Sequence, residues 1–166
     1  MESPWQQIFA TWIRAGSSAP AGAEGVSAFH EVGGPTQLLL SPTRPMHPGA
    51  WTEFGLRHAH APDGIANPAR SAYLLAVRIV APGNDRDEFR RWLHDEHAAL
   101  QVSLAGVNWF LGYEEDGHEP SFLNLWSIDA PDVVEGDAWA QIRDTPWWRR
   151  VAHVTAGADR GIFRAD

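Results

Sequence analysis

An apolar, β-prone run, Tyr73 to Val80 (YLLAVRIV), leads into an amphipathic helix that turns straight into a second strand, and this order restricts the available folds more than any other feature of the chain. The helix and the strand after it occupy Asn84 to Tyr113, NDRDEFRRWLHDEHAALQVSLAGVNWFLGY. Asn84 or Asp85 is the expected N-cap, with Asp87 or Glu88 as its capping-box partner. Phe89, Trp92, Leu93, Leu100 and Leu104 recur at helical spacing, and the same stripe continued from Trp92 and Leu93 reaches Glu96 and His97. A polar side chain is therefore expected near the inward face. Gly106 ends the helix and Val107 to Tyr113 reads as a strand.

Downstream, Phe122 to Trp126 (FLNLW) reads as another strand, with Glu114 to Pro120 as an exposed hairpin loop. Val134, Ala138, Trp139 and Ile142 mark a second helix, which Pro146 interrupts before TPWWRRV restarts as a helical turn. Gly161 to Arg164 closes the series. The sequence thus predicts β-α-β-β-α-β for Tyr73 to Arg164, the ferredoxin-like α+β unit.

Upstream, Ile8 to Arg14, Val26 to Val32 and Gln37 to Leu40 read as strands, the last two joined through Gly33, Gly34 and Pro35. Ala15 to Gly25 is rich in small residues and reads as a loop. Ala50 to His60 (AWTEFGLRHAH) is expected to be a short helix or a structured loop. The two halves also match in order: Gly25-Val26-x-x-Phe29 with Gly106-Val107-x-x-Phe110, Pro35-Thr36-Gln37-Leu38 with Pro120-Ser121-Phe122-Leu123, and Gly49-Ala50-Trp51 with Asp137-Ala138-Trp139. These matches predict a degenerate N-terminal copy over residues 1–70 and a complete one over 71–166, joined in one pseudo-dimeric domain. The N-terminal copy has AGSSAPAGAEG where the other has its first helix.

Composition narrows the function. A net charge of −8, without a basic stripe, argues against a nucleic-acid partner. No cysteine is present, so thiolate catalysis and cysteine-ligated metals are excluded. The N-terminus lacks a signal-peptide pattern and no apolar segment is long enough to span a bilayer, so a soluble cytoplasmic protein is expected. Nine tryptophans in 166 residues predict an aromatic-lined cavity alongside core packing.

The C-terminal half resembles the dimeric α/β-barrel superfamily, including the branch of EthD-type and small cyclase proteins. The residues that carry the likeness are YLLAVRIV, Phe89-x-x-Trp92-x-x-x-Glu96-His97, Leu104-x-Gly106-Val107 and Thr145-Pro146-Trp147. The resemblance implies two four-stranded sheets paired face to face. With a shrunken first copy, the barrel is expected to close within one chain, and a homodimer is the other way to close it or to cover an exposed edge. Cyclisation, isomerisation or lyase chemistry on a hydrophobic small molecule is what the resemblance implies, or cofactor-independent monooxygenation. No cofactor is expected.

His97 is the leading expected catalytic residue, because an imidazole near neutrality can move a proton. Glu96 sits beside it, but adjacent helical residues point about 100° apart and cannot face each other. Arg78, a charge inside YLLAVRIV, and Tyr113 complete the expected catalytic set as groups that polarise a substrate oxygen. His30, Trp92, Asn108, Trp109, Asn124 and Trp126 are expected to line the substrate site, with Trp12 and Phe29 as further aromatic wall. His94 and His97 form an H-x-x-H pair and His58 and His60 an H-x-H pair; without HExxH spacing or a clear third ligand, no metal site is expected. A non-catalytic ligand-binding or accessory protein is the reading from another class.

Overall fold

The computed structural model describes residues 4–14, 25–45, 51–62, 66–115 and 121–165. Expectations that fall on Ala15 to Glu24, on Pro48 to Ala50 and on the loop from Asp116 to Pro120 lie outside these residues. The described residues form eight strands: β1 (Gln7–Ile13), β2 (Ser27–Glu31), β3 (Gln37–Ser41), β4 (Thr52–His60), β5 (Tyr73–Val80), β6 (Val107–Glu114), β7 (Ser121–Ile128) and β8 (Asp159–Ala165). Every neighbouring pair is antiparallel, and the strands close into a barrel in the order β1-β3-β2-β8-β5-β7-β6-β4. Within that ring, β4-β1-β3-β2 and β8-β5-β7-β6 follow the same ferredoxin-like order, and the two joints, β2 to β8 and β6 to β4, are equivalent. The barrel therefore closes inside a single chain.

Strand β4 corrects the sequence reading, which expected a helix or loop over Ala50 to His60. Glu53, Arg57 and His58 interrupt its apolar period, so the sequence gives no clean alternation. Pairing on both sides decides its conformation instead: Phe54 lies opposite Ile8 of β1, and His58 lies opposite Gly112 of β6 after a register shift between Leu56 and His58.

Side chains alternate across the barrel wall. Leu74 and Ala76 of β5, with Leu123 and Leu125 of β7, point inward and join Phe29, Leu38, Phe54 and Phe163 in a filled interior. Leu75 and Ile79 of β5, with Phe122, Trp126 and Ile128 of β7, point outward into a second core. That outer core is covered by one continuous helix made of α1 (Arg86–Trp92), a π turn (Leu93–His97) and α2 (Ala98–Val102), and by the short helices α3 (Asp137–Gln141) and α4 (Pro146–Val151).

Local chemistry fixes the long helix at both ends. The expected capping box does not form. Asp85 is the N-cap without a side-chain cap bond, and its carboxylate lies 3.2 Å from His153 Nε2 instead. Glu114, expected in an exposed loop, is a buried residue of β6 that receives Arg90 Nε at 2.6 Å and Arg90 Nη2 at 2.7 Å, with Arg86 Nη2 at 3.3 Å. This charge-assisted fork ties α1 to the sheet. Beyond α2, Gly106 adopts φ +84, and a Cβ there would lie 2.7 Å from Val133, so glycine is needed for the turn into β6.

Candidate functional site

The π turn decides which polar residue of the helix reaches the sheet. An uninterrupted α-helix would repeat the Trp92 position near Glu96. The five-residue turn adds a residue and carries His97 there, so that the buried stripe runs Phe89, Trp92, Leu93, His97, Ala98, Gln101 and Val102. Leu100 and Leu104, expected on the stripe, are only half-buried. The His97 ring stacks on Trp92 with centroids 4.1 Å apart and lies 6.2 Å from the Trp148 ring and 6.4 Å from Trp126.

Glu96 does a different job. It accepts a hydrogen bond from Thr145 Oγ1 at 2.6 Å, and the same hydroxyl accepts the Trp148 N–H at 3.0 Å as the N-cap of α4. The carboxylate thereby fixes the start of α4, and Trp148 sits 5.2 Å from the Trp92 ring.

A cavity of about 250 Å³ lies between the outward face of the β5–β7–β8 sheet and these helices. Leu75, Val77 and Ile79 of β5 floor it, beside Asn124 and Trp126 of β7 and Arg160 of β8. Trp92, His97 and Gln101 close it from the long helix, and Trp139, Arg143 and Trp148 from the second helical region. Gly112 opposes Asn124 across the β6–β7 ladder; a Cβ there would approach the Phe110 ring to 3.0 Å and Asn124 Oδ1 to 3.6 Å, so the glycine leaves both side chains their positions. Within this apolar enclosure, His97 Nδ1, Gln101 Oε1, Arg143 Nε and both amide atoms of Asn124 are buried without a hydrogen-bond partner among the described residues. Buried polar atoms of this kind are ordinarily paired, so their gathering on one cavity marks it as a place for a ligand.

Electrostatics follow from the enclosure. Burial, and then the Arg143 guanidinium, push the His97 imidazole down to about 3, so it is neutral at physiological pH. Burial, and then Arg143, also lower Arg160.

Of the residues expected from the sequence, the cavity unites His97, Trp92, Asn124 and Trp126. The others lie elsewhere. Arg78 alternates away from Val77 and Ile79, and faces Glu115 at 3.8 Å. Tyr113 is buried in the barrel interior, where its hydroxyl donates to the Trp5 carbonyl at 3.2 Å and burial raises its pKa well above the usual range. Trp109 and Phe29 are interior as well, with Trp12 packed against them. For β6 the cause is a register shift between Val107 and Trp109: Val107 joins the outer core, and the extra residue turns Trp109, Leu111 and Tyr113 inward. His30 is exposed beside Gln37 Nε2, and Asn108 is exposed and donates to Asp129 Oδ1 at 2.9 Å. Glu96 does not line the cavity.

Among the residues that sequence reasoning missed are Gln101, Arg143, Arg160, Trp139, Trp148 and Thr155. Gln101 lies four residues past His97 and was recoverable from helical spacing, whereas Arg160 precedes the expected start of the last strand. The paired histidine motifs meet through one member each: His58 and His94 stack at 4.4 Å, neither lines the cavity with His97, and no group of three or more potential metal ligands occurs among the described residues. Among the same residues, no helix is long and apolar enough to cross a membrane.

No protein-family model matches the chain, and no curated protein matches it. Solved structures do. An anthrone oxidase-like protein superposes with a TM-score of 0.65 at 13% identity, covering 96% of this chain and 91% of its own. A ferredoxin-fold protein from Listeria monocytogenes 4b F2365, related to antibiotic biosynthesis monooxygenases, gives 0.61 at 10% identity over 99% of both chains. A monooxygenase-like protein from Listeria innocua gives 0.61 at 12% identity, over 99% of this chain and 98% of its own. At these identities the likeness concerns the fold. The chain has the dimeric α/β-barrel fold that its C-terminal half resembles in sequence, completed within one polypeptide.

Proposed function

We propose that this chain is a small-molecule enzyme that removes a proton from a carbonyl- or phenol-bearing aromatic or polyketide-like substrate bound between its sheet and helices, with His97 as the proton acceptor. The observation that carries this reading is a buried, neutral imidazole whose Nδ1 has no partner among the described residues, inside a cavity walled by tryptophans. A neutral imidazole can accept a proton, and the acceptance is gated. Burial and Arg143 oppose a charged His97 until the substrate supplies a negative oxygen beside it, which then favours the imidazolium. Asn124 and Gln101 carry amides that can donate to that oxygen as charge develops. Trp92, Trp126 and Trp148 offer apolar ring surface to a flat substrate. In the same reading the division falls at residue 70, with 1–70 closing the barrel and 71–166 carrying the site.

Two outcomes can follow proton removal. Cyclisation, isomerisation or elimination needs proton transfer alone. Cofactor-independent oxygenation needs dioxygen: an activated ring CH2 becomes C=O, and the second oxygen atom leaves as water. The likeness to an anthrone oxidase-like protein and to monooxygenase-related proteins supports the oxygen-dependent branch.

Anthrone, with an acidic ring CH2, is the test substrate, followed by absorbance and an oxygen electrode. His97→Ala is expected to lower turnover by a factor of ~100 or more. Unchanged turnover in that variant would remove His97 from the chemistry. Product formed without oxygen uptake would remove the oxygenation branch, and binding without turnover of any hydroxyaromatic would make the chain a passive carrier.

A further inference from the structure

Arg143 and Arg160 are the two arginines among the described residues that line the cavity. Several arginines away from it have a carboxylate at hand: Arg86 and Arg90 share Glu114, Arg78 faces Glu115, Arg149 faces Asp144 and Arg150 faces Glu88. Among the described residues, Arg143 and Arg160 form no ion pair and no side-chain hydrogen bond, although the chain carries 21 acidic residues against 13 basic ones. Acids do lie near Arg160, in a second cavity of about 240 Å³ that it also lines, yet they are engaged otherwise. Glu31 accepts the Thr36 N–H at 3.2 Å, and Asp159 faces Arg14 at 3.9 Å.

Arg143 is half-buried, with its Nε enclosed, and Arg160 is exposed at the cavity's edge; two guanidiniums without a carboxylate on one cavity repel each other and favour an anion between them. A single oxygen charged only during reaction offsets one of them. A carboxylate is charged before it binds, and its two oxygens match the planar forks of two guanidiniums arriving from different elements, Arg143 after α3 and Arg160 at the start of β8.

We infer that Arg143 and Arg160 receive a carboxylate borne by the substrate, so that the site takes hydroxyaromatic or polyketide-like acids in preference to neutral phenols. The inference rests on the proposed function only in taking this cavity as the binding site. The arginines are specificity groups at one end of the ligand, and the proton leaves at the His97 end.

The probes are a hydroxynaphthoic acid, its methyl ester, and the naphthol that lacks the carboxyl group, titrated against the full chain by quenching of tryptophan fluorescence. The acid is expected to bind ~10-fold or more tightly than either neutral probe, as charge-assisted recognition requires. In Arg143→Gln and Arg160→Gln that preference should fall to ~3-fold or less, with naphthol affinity nearly constant. Equal affinities in the unsubstituted protein, a preference that survives both substitutions, or no binding of the acid would each overturn the inference. Melting temperatures establish that the variants fold; should either fail, the acid-against-ester comparison on the unsubstituted protein decides. A His97→Ala protein that keeps both the acid preference and its turnover would sink the proton-acceptor reading alone. Loss of the preference with turnover still dependent on His97 would sink this inference alone.

Discussion

The two halves of the barrel share one strand order and differ in what lies over it. β4-β1-β3-β2 and β8-β5-β7-β6 are built alike, and both contribute to a single filled interior. Only over the second do the described residues place α-helices, and there the outer sheet face carries a second core and a cavity. A barrel whose interior is filled by side chains has no room for a ligand inside, and the cavity that gathers the unpaired polar atoms lies between sheet and helices. The repeated strand order closes the barrel, and the helices roof the candidate site.

Substitutions on the two outer faces should separate these roles. The largest effect is expected at Trp92, which is 2% exposed and contacts Phe89, His97 and Trp148. Trp92→Ala should cost ~3–5 kcal/mol in denaturant unfolding and abolish ligand binding. Breaking the helix tether comes next. Burial works to raise the Glu114 carboxyl, but the Arg90 and Arg86 guanidiniums outweigh it and hold it below its usual range. Glu114→Gln, which leaves two half-buried cations short of a charge, should cost about 2–4 kcal/mol.

The pH dependence should carry the signature of the covered half. His97 has a folded pKa of about 3 against 6.5 when exposed, so the unfolded chain binds its proton first. Its contribution to stability is complete above pH 6.5 and is lost as pH falls toward about 3, each unit of displacement being worth ~1.4 kcal/mol. His94, lowered to about 4 by burial and by His58, acts in the same direction. Replacing His97 by Leu should flatten the fall in melting temperature between pH 7 and pH 4; an unchanged profile would show that His97 is solvated. Smaller again, Thr145→Ala removes the α4 cap and the Glu96 contact and should cost ~1 kcal/mol. Ile13→Ala, at a half-exposed position of β1 on the other half, should cost ~1 kcal/mol or less. A cost there equal to that at Trp92 would erase the contrast between the halves.

Much of this arrangement was legible in the sequence. The β-α-β-β-α-β order followed from YLLAVRIV, the helical spacing after it and the FLNLW strand, and His97, Trp92, Asn124 and Trp126 were found because polar or aromatic residues stand out on apolar periods. What remained hidden were departures of one residue. The bulge after Val107 reversed the faces of Trp109 and Tyr113, and the π turn exchanged Glu96 for His97, neither leaving a mark that periodicity can detect. Strand β4 is specified by partners on both sides rather than by its own pattern. Arg143 and Arg160 meet His97 and Asn124 only through tertiary packing, so no local motif joins them.

The most direct test is the protonation of His97 followed by nitrogen-labelled imidazole NMR, assigned with His97→Gln, with and without the hydroxynaphthoic acid. The structure predicts that this ring stays neutral from pH 8 down to about 5, and that the acid shifts its signals and raises its pKa. A ring that titrates near 6.5 and is unmoved by the acid would contradict a neutral proton acceptor in a closed binding cavity.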